Sequence, residues 1–369
     1  MEIRIGKANL LAGVQRVQGV VEAKGAMPIL SYLLISTDQD GIFIQATDLE
    51  VAFRGYYPSN VVAEGQAVLN ARKLHDIVKE LPNSEIHMLK EENNWVTIKC
   101  EKSVFRLPGL SAVEFPAFPE YAQESLVNFN GGTLKEMIRK TSFAVSTDET
   151  RKGISGLLLE LEKENCSMVG TDGHRLVSIK RSLPEGSSGN EETSEYLLPR
   201  KLVGELAKFI EDEEQSIAFS KKNNFLAFTQ GKQAIVSRSV DGKFPNYRQV
   251  IPKENELLVP IKKEEFSQAM KRVVLLADEH SKMVRLEVKE NLLTLNSDTA
   301  DQGAAKEEIT INYKGDGVAI GLNGRYVLDI LNVVDHEDVV LKLKDKDHSC
   351  LITSEKDSGF ISLVMPMRL

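Results

Sequence analysis

Apolar and polar positions along the chain follow one order: a strand, a helix and then three strands. The apolar residues of 71–81 recur at helical spacing on one face, and Pro82 ends this helix. The segments 85–90, 95–100 and 103–108 alternate apolar and polar residues as half-buried strands do. The order recurs along the whole chain, so the pattern predicts an α+β protein built from six strand–helix–three-strand units.

A polar turn occurs three times in the sequence. The copies are Thr47-Asp48-Leu49-Glu50, Thr171-Asp172-Gly173-His174 and Ser297-Asp298-Thr299-Ala300. They lie 124 and 126 residues apart, each about a third of the 369-residue chain. This spacing predicts three similar domains of two units each, at 1–125, 126–253 and 254–369. The aspartates are expected to accept hydrogen bonds from their own turns.

Positive charge is concentrated in the predicted helices. Lysine and arginine exceed aspartate and glutamate by eight over the segments 7–24, 70–82, 133–143, 199–210, 262–277 and 324–336. The whole chain carries −8, so the remainder carries −16. Because each helix buries its apolar stripe, its charged residues share the exposed face. The helices are therefore predicted to bind a polyanion through phosphate contacts, without reading base sequence.

Composition and cysteine content are those of an ordinary globular protein. Hydrophobic residues make up 42% and charged residues 27%, and no apolar run approaches the ~20 residues of a membrane-spanning helix. The chain enters a strand pattern at Glu2, so we expect no signal peptide. Cys100, Cys166 and Cys350 are odd in number and widely spaced, so we expect buried free thiols in a reducing, cytoplasmic compartment and no membrane association.

Catalytic motifs are nearly absent. The sequence has no Gly-x-x-x-x-Gly-Lys-[Ser/Thr] loop, no His-Glu-x-x-His site and no cysteines at metal-ligand spacing, so we expect no cofactor and no metal. One alternative is a hydrolytic enzyme that uses Asp172, His174 and Arg175, although the sequence places no nucleophile beside His174. Another is a repeat-built scaffold that does not bind nucleic acid.

Three motifs carry a resemblance that covers the full length. They are Thr-Asp-Gly-His-Arg-Leu at 171–176, Asp-Gly-Lys-Phe-Pro-Asn-Tyr at 241–247 and Met-Pro-Met-Arg-Leu at 365–369. With them the chain resembles the bacterial sliding clamp, the β subunit of DNA polymerase III. The resemblance implies a non-catalytic processivity factor, a head-to-tail homodimeric ring with helices around duplex DNA and sheets outside. It also implies an ATP-driven clamp loader, the α subunit of the replicative DNA polymerase and other replication and repair proteins as partners, at the nucleoid.

The resemblance implies three sets of site residues. A pocket for partner peptides between the second and third domains would use Ile154, Thr171, Gly173, His174, Arg175, Leu176, Pro245, Val250, Asn323, Tyr326, Leu363, Val364, Met365, Pro366, Met367 and Arg368. DNA would be contacted by Lys24, Arg72, Lys79, Arg139, Lys201 and Lys208. Phe105 and Leu107 of one subunit would meet Leu275 and Leu276 of the other.

Some positions depart from the family pattern. Gln249 stands where some relatives have arginine, and Asp148, Lys152 and Gly153 replace a glutamine and a tyrosine pair, so contacts there are expected to differ. The tail from Met365 stands where the other repeats have linkers. It is expected either to tuck into the core or to line the pocket.

Overall fold

The computed structural model describes residues 1–22, 25–187, 192–240, 242–252, 257–299 and 303–368. The helices are α1 Lys7–Arg16, α2 Ala71–Glu80, α3 Gly131–Thr141, α4 Arg200–Phe209, α5 Lys263–Val274 and α6 Gly324–Val333. The first strands are β1 Glu2–Gly6, β2 Tyr32–Asp38, β3 Gly41–Thr47, β4 Val51–Pro58, β5 Asn60–Ala63, β6 Gln66–Asn70, β7 Glu85–Lys90, β8 Val96–Cys100, β9 Ser103–Leu107, β10 Val127–Asn130, β11 Gly156–Leu161, β12 Asn165–Thr171 and β13 Arg175–Ser182. The others are β14 Ser194–Pro199, β15 Ser216–Lys222, β16 Phe225–Gln230, β17 Gln233–Arg238, β18 Leu257–Lys262, β19 Met283–Lys289, β20 Leu292–Thr299, β21 Gly303–Thr310, β22 Val318–Asn323, β23 Asp338–Leu343, β24 Cys350–Thr353 and β25 Phe360–Val364.

The element order confirms the predicted repeat. Each helix of the described chain follows one strand and precedes three, with β5 as an additional short strand in the first unit. Helix α2 shows the local reasons: the Asn70 side chain caps it by accepting a hydrogen bond from the Lys73 N–H at 3.0 Å, and Leu74 and Val78 are fully buried.

Two predicted elements have different bounds in the structure. Residues 42–53 alternate apolar and polar side chains as a single strand would, but they form two strands, β3 and β4, because the polar turn 47–50 reverses the chain and Leu49 there adopts a φ of 76°. Helix α1 ends at Arg16 rather than near 23, and a 3₁₀ turn, Val17–Gly19, follows it.

The chain forms two compact units, and the first comprises Met1–Gly132, Pro184–Ser187 and Lys201–Ser239. It contains a five-stranded sheet, β5-β1-β7-β8-β9, and an eight-stranded sheet, β10-β15-β16-β17-β4-β3-β2-β6. The eight-stranded sheet is continuous because β17 pairs antiparallel with β4, placing Ile235 opposite Phe53.

The second unit comprises Thr133–Leu183, Ser188–Arg200 and Val240–Leu369. Its eight-stranded sheet has the order β14-β11-β12-β13-β25-β24-β23-β18, and its four-stranded sheet has the order β21-β20-β19-β22. Strands β13 and β25 pair antiparallel and place Val177 opposite Ser362. Each eight-stranded sheet thus draws strands from two repeats, and the domain boundaries 1–125, 126–253 and 254–369 stay a prediction.

The chain's tail connects the two sheets of the second unit. The Met365 N–H donates to the His174 carbonyl at 2.8 Å, which extends the pairing of β25 with β13. Two residues later the Met367 N–H donates to the Gly321 carbonyl at 2.8 Å, beside β22. The tail is therefore tied down by its backbone at both points.

Candidate functional site

The turn 171–176 is built by its own side chains. The Asp172 carboxylate accepts from the N–H groups of His174 at 2.9 Å and Arg175 at 3.0 Å, as Asp48 does in the first repeat. The expected role of these aspartates as turn residues is therefore confirmed at 48 and 172. Gly173 has a φ of 91°, and a Cβ there would lie 2.9 Å from an Arg151 nitrogen, so both backbone and space favour glycine.

Arg175 joins this turn to helix α6. Its Nε donates to Asp172 at 3.0 Å, and its two terminal nitrogens donate to Asp329 at 2.5 Å and to the Phe143 carbonyl at 2.7 Å. The guanidinium also stacks 4.4 Å from the centre of the Tyr326 ring. Because these groups already engage all three of its nitrogens, Arg175 organises the site from within.

An apolar cavity of about 240 Å³ lies beside this turn. It is lined by Arg151, Ile154, Thr171, Gly173, Arg175, Leu176, Pro245, Asn246, Tyr247, Val250, Leu363 and Met365. Nine of the sixteen residues assigned by resemblance are in this set. Val250 and Met365 remain 47% and 38% exposed at its mouth, so apolar surface is available to a ligand.

The seven other assigned residues do not line this cavity. His174, Arg175 and Tyr326 line a neighbouring cavity of about 380 Å³. Asn323 caps α6 by accepting from the Arg325 and Tyr326 N–H groups. Val364, Pro366, Met367 and Arg368 line neither cavity, and the pocket assignment as a whole stays a prediction.

Tyr247 is a wall of the cavity that the sequence analysis did not assign. Its hydroxyl donates to the fully buried Glu160 carboxylate at 2.7 Å, and Arg248 donates to the same oxygen at 2.9 Å. Burial, with the bond to Glu160, raises the pKa of Tyr247. The residue closes the 241–247 motif, but its partner on β11 lies 87 residues away. Arg151 and Asn246 were also missed.

Some of the residues assigned to DNA contact are already paired with acidic side chains, and others are not. Arg139 pairs with Asp335 at 2.9 Å, Lys208 pairs with Glu205 at 2.7 Å, and Lys201 pairs with Asp48. Arg72 and Lys79 are exposed on α2 and form no ion pair with the described residues. Lys24 lies outside the described residues.

The positions that depart from the family pattern are also on the surface. Gln249 ends the short 3₁₀ turn Tyr247–Gln249 and is exposed beside the cavity. Asp148 accepts from the Thr150 N–H at 3.0 Å and so shapes its own loop.

The chemistry around His174 does not form a catalytic group. The Asp172 oxygens are held by the turn and by Arg175, and the His174 imidazole makes no hydrogen bond with the described residues. The three cysteines are unpaired and buried as expected, and burial raises the pKa of Cys166 to about 12. Over the described ranges, no group of three or more His, Cys, Asp or Glu side chains could hold a metal ion.

Comparisons with known proteins match the chain from end to end. Family models for the DNA polymerase III beta subunit match residues 1–119 (N-terminal domain), 128–246 (central domain) and 248–368 (C-terminal domain). A beta sliding clamp of Pseudomonas putida is 33% identical, and the alignment covers 100% of both chains.

Solved structures agree with this match. The DNA polymerase III subunit beta of Pseudomonas aeruginosa superimposes with a TM-score of 0.94 at 32% identity and covers 100% of both chains. A sliding clamp from the same organism bound to griselimycin superimposes with a TM-score of 0.94 at 31% identity, and the match covers 100% of both chains.

The repeated α+β fold, with an apolar pocket in place of a catalytic group, defines a DNA clamp. Its class is that of non-catalytic processivity factors of DNA polymerases. The chain belongs to the DNA polymerase III beta subunit family, the beta sliding clamps, and functions as a DNA sliding clamp in replication. No described helix is long and apolar enough to cross a membrane.

Proposed function

We propose that two copies of the chain close head to tail into a ring around duplex DNA. The observation that carries this proposal is a pair of unpaired sheet edges. Strand β9 ends the five-stranded sheet and β21 ends the four-stranded sheet, and neither has a second neighbour among the described strands. In the eight-stranded sheets, the strands at equivalent places, β17 with β4 and β25 with β13, pair with each other. A second copy would complete the same pattern between β9 and β21.

The polar turn identifies the residue of β21 that is equivalent to Ala52 of β4. Ser297 corresponds to Thr47, and the residue paired with Thr47 across its hairpin is Ala52. The residue paired with Ser297 is Ala305. Ala305 therefore corresponds to Ala52.

The hairpin before β9 identifies the residue of β9 that is equivalent to Val236 of β17. Strands β9 and β17 each follow a two-residue turn, and Arg106 and Val236 are the fourth residues of these strands. Val236 pairs with Ala52 of β4. The equivalence predicts that Arg106 of one copy lies opposite Ala305 of its partner.

Exposed apolar side chains support the same edges as an interface. Val104 and Phe105 of β9 are 62% and 38% exposed, and Leu275 at the end of α5 is 76% exposed. Exposed apolar residues on an edge strand favour pairing with another chain. The proposed contacts of Phe105 and Leu107 with Leu275 and Leu276 would cover them.

Placing a charge on this edge tests the interface. Phe105→Glu is expected to raise the dimer dissociation constant by about tenfold to a hundredfold, because a side chain of this size contributes about 1.5–3 kcal/mol when buried. The matched control is Val62→Glu on β5, at the opposite edge of the same sheet, where Val62 is 53% exposed. Light scattering across a concentration series measures the molar mass and so gives the dimer dissociation constant. A wild type that is monomeric at micromolar concentration, or equal effects of the two variants, contradicts the proposal.

We further propose that the apolar cavity anchors Leu or Phe side chains of partner peptides. Its size and apolar lining suit one or two such side chains. The partners would be the α subunit of the replicative polymerase, the clamp loader, and other replication and repair proteins. Three unpaired cysteines support action in the cytoplasm, at the nucleoid.

We also propose that the exposed cations of the helices contact the DNA backbone. Arg72 and Lys79 are the strongest candidates because no acid of the described chain neutralises them. Arg72→Ala is expected to weaken duplex binding and to reduce the slope of log affinity against log salt by about one. Arg139→Ala is expected to have a smaller effect, since Asp335 already holds that guanidinium. Anisotropy of a labelled duplex over a salt series measures both, and equal slopes in all three proteins would exclude this role.

A further inference from the structure

A larger, polar cavity lies next to the apolar one. It encloses about 660 Å³ and shares Tyr247 with the apolar cavity. Its lining includes Lys180, Arg248 and Lys356, together with several serine hydroxyls.

The two cavities lie along one face of the strand pair β13 and β25. Leu176 and Leu363 are opposite each other and line the apolar cavity, and Ser178 and Ile361 are the next opposite pair on that face and line the polar one. Lys180 follows, four residues beyond Leu176. At about 3.3 Å per residue, an extended peptide anchored in the apolar cavity reaches Lys180 within about four residues.

The accessible charge of the polar cavity is positive. Lys356 forms no ion pair with the described residues, and the Arg248 side chain is 54% exposed although it pairs with Glu160 and lies over the Tyr247 ring. Lys180 is 47% exposed and pairs with Glu162 at 2.6 Å. The other acid of the lining, Asp357, is only 12% exposed and is bonded to Arg181 and Lys140.

This charge stands out against the rest of the chain, because the segments outside the helices carry −16. A cluster of accessible cations in an acidic surround attracts anionic groups and repels cationic ones. The exposed hydroxyls of Ser182 and Ser358 add hydrogen-bond donors to the same cavity.

We propose that the polar cavity binds an acidic segment that flanks the apolar anchor of a partner peptide. The inference rests on the proposed peptide site and specifies which partners it favours. The anchor fills the apolar cavity, the backbone passes Tyr247, and Asp or Glu side chains meet Lys180, Arg248 and Lys356. Continuity with the apolar cavity favours a polypeptide over a nucleic acid strand as the occupant.

Peptides that differ only in their flank test this on the full-length protein. Each carries a Leu-Phe anchor and four flanking Glu or four flanking Gln residues, placed on either side of the anchor, and fluorescence polarisation gives the affinity. For one of the two placements, the Glu flank is expected to tighten binding about fivefold at low salt, the effect of two exposed ion pairs. The advantage is expected to vanish at about 1 M salt.

Variants locate the effect. In Lys180→Gln/Lys356→Gln the Glu and Gln peptides are expected to bind equally, and the Gln peptide is expected to keep its wild-type affinity. Lys314→Gln, an exposed site that lines neither cavity, is the matched control and is expected to retain the fivefold preference.

The outcomes separate this inference from the peptide site itself. Failure of both peptides to bind would overturn the proposed peptide site. Equal binding of the two flanks by wild type, or a preference that survives in the double variant, would overturn the acidic-flank inference. It would also be overturned if the double variant lost affinity for a labelled single-stranded oligonucleotide while keeping its preference for the Glu flank.

Discussion

Replacing Lys140 by methionine is expected to lower the free energy of unfolding by about 2–3 kcal/mol, less than the ~3–5 kcal/mol of a buried ion pair that loses its only partner, because Arg181 and Arg139 still pair with its carboxylates. Lys140 lies on α3, and its side chain is only 4% exposed. Its ammonium group contacts Glu136 at 2.8 Å, Asp335 at 2.9 Å and Asp357 at 3.1 Å. Methionine keeps most of the side-chain volume but leaves these carboxylates without their shared cation.

The urea midpoint, followed by far-ultraviolet circular dichroism, measures this loss. Lys289→Met is the matched control, because Lys289 is 62% exposed and its contact with Glu287 is of the kind worth less than about 1 kcal/mol. If both variants unfold at the same urea concentration, the network does not hold the second unit together.

Acid should weaken the same network. Burial opposes ionisation of Asp357, but hydrogen bonds from Arg181 and Lys140 outweigh it and hold its pKa below the usual 3.8. Hydrogen bonds from Arg181 likewise hold the pKa of Glu136 below 4.5. A lowered folded pKa adds stability that is present above the ordinary pKa and is lost as pH falls through the folded value. The difference between wild type and Lys140→Met is therefore expected to shrink below about pH 4.

Replacing Arg175 by alanine is expected to lower the free energy of unfolding by about 3–5 kcal/mol and to weaken binding of a Leu-Phe peptide at least tenfold. The change leaves Asp172 and Asp329 without their common cation and frees Tyr326 from its stacking partner. The walls of both cavities at 171–176 would then lose their fixed positions.

The variant Arg175→Lys separates charge from geometry. Lysine keeps the positive charge, but its compact ammonium group lacks the planar fork of donors that reaches Asp172, Asp329 and the Phe143 carbonyl from three separate nitrogens, and it cannot stack on Tyr326. We expect it to recover part of the stability and little of the peptide affinity. Denaturation and peptide titration on the same samples measure the two effects. If alanine leaves both quantities unchanged, Arg175 does not organise the pocket.

The local pattern of apolar and polar residues was sufficient to predict the repeated unit. Helical spacing in 71–81 and strand alternation in 103–108 do not depend on distant residues, and both elements formed where expected. Strand alternation over 42–53 did not show the break between β3 and β4, and only the polar turn predicted at 47–50 marked it; Leu49 there takes a backbone conformation that leucine rarely adopts.

Contacts between residues far apart in the chain could not be predicted from the sequence. Tyr247 is fixed by Glu160, and Arg139 is neutralised by Asp335, 196 residues away. Neither pair has a local pattern that marks it. For the same reason, the sequence showed which helices are basic, but it did not show which of their basic side chains are paired with acids.

A disulfide across the two free edges tests the ring most directly. In the variant Arg106→Cys/Ala305→Cys, oxidation is expected to give a covalent dimer, because the equivalence with Val236 and Ala52 places these positions opposite each other. The native cysteines do not interfere, since all three are buried.

The matched control moves one cysteine from Ala305 to Lys306. A shift of one residue turns the side chain to the other face of the sheet, so this pair is expected to cross-link poorly. We expect the first pair to give a discrete covalent dimer that stays on circular DNA and leaves it after linearisation. A protein that remains monomeric after oxidation, forms open-ended oligomers, or cross-links equally in the shifted pair would contradict the ring.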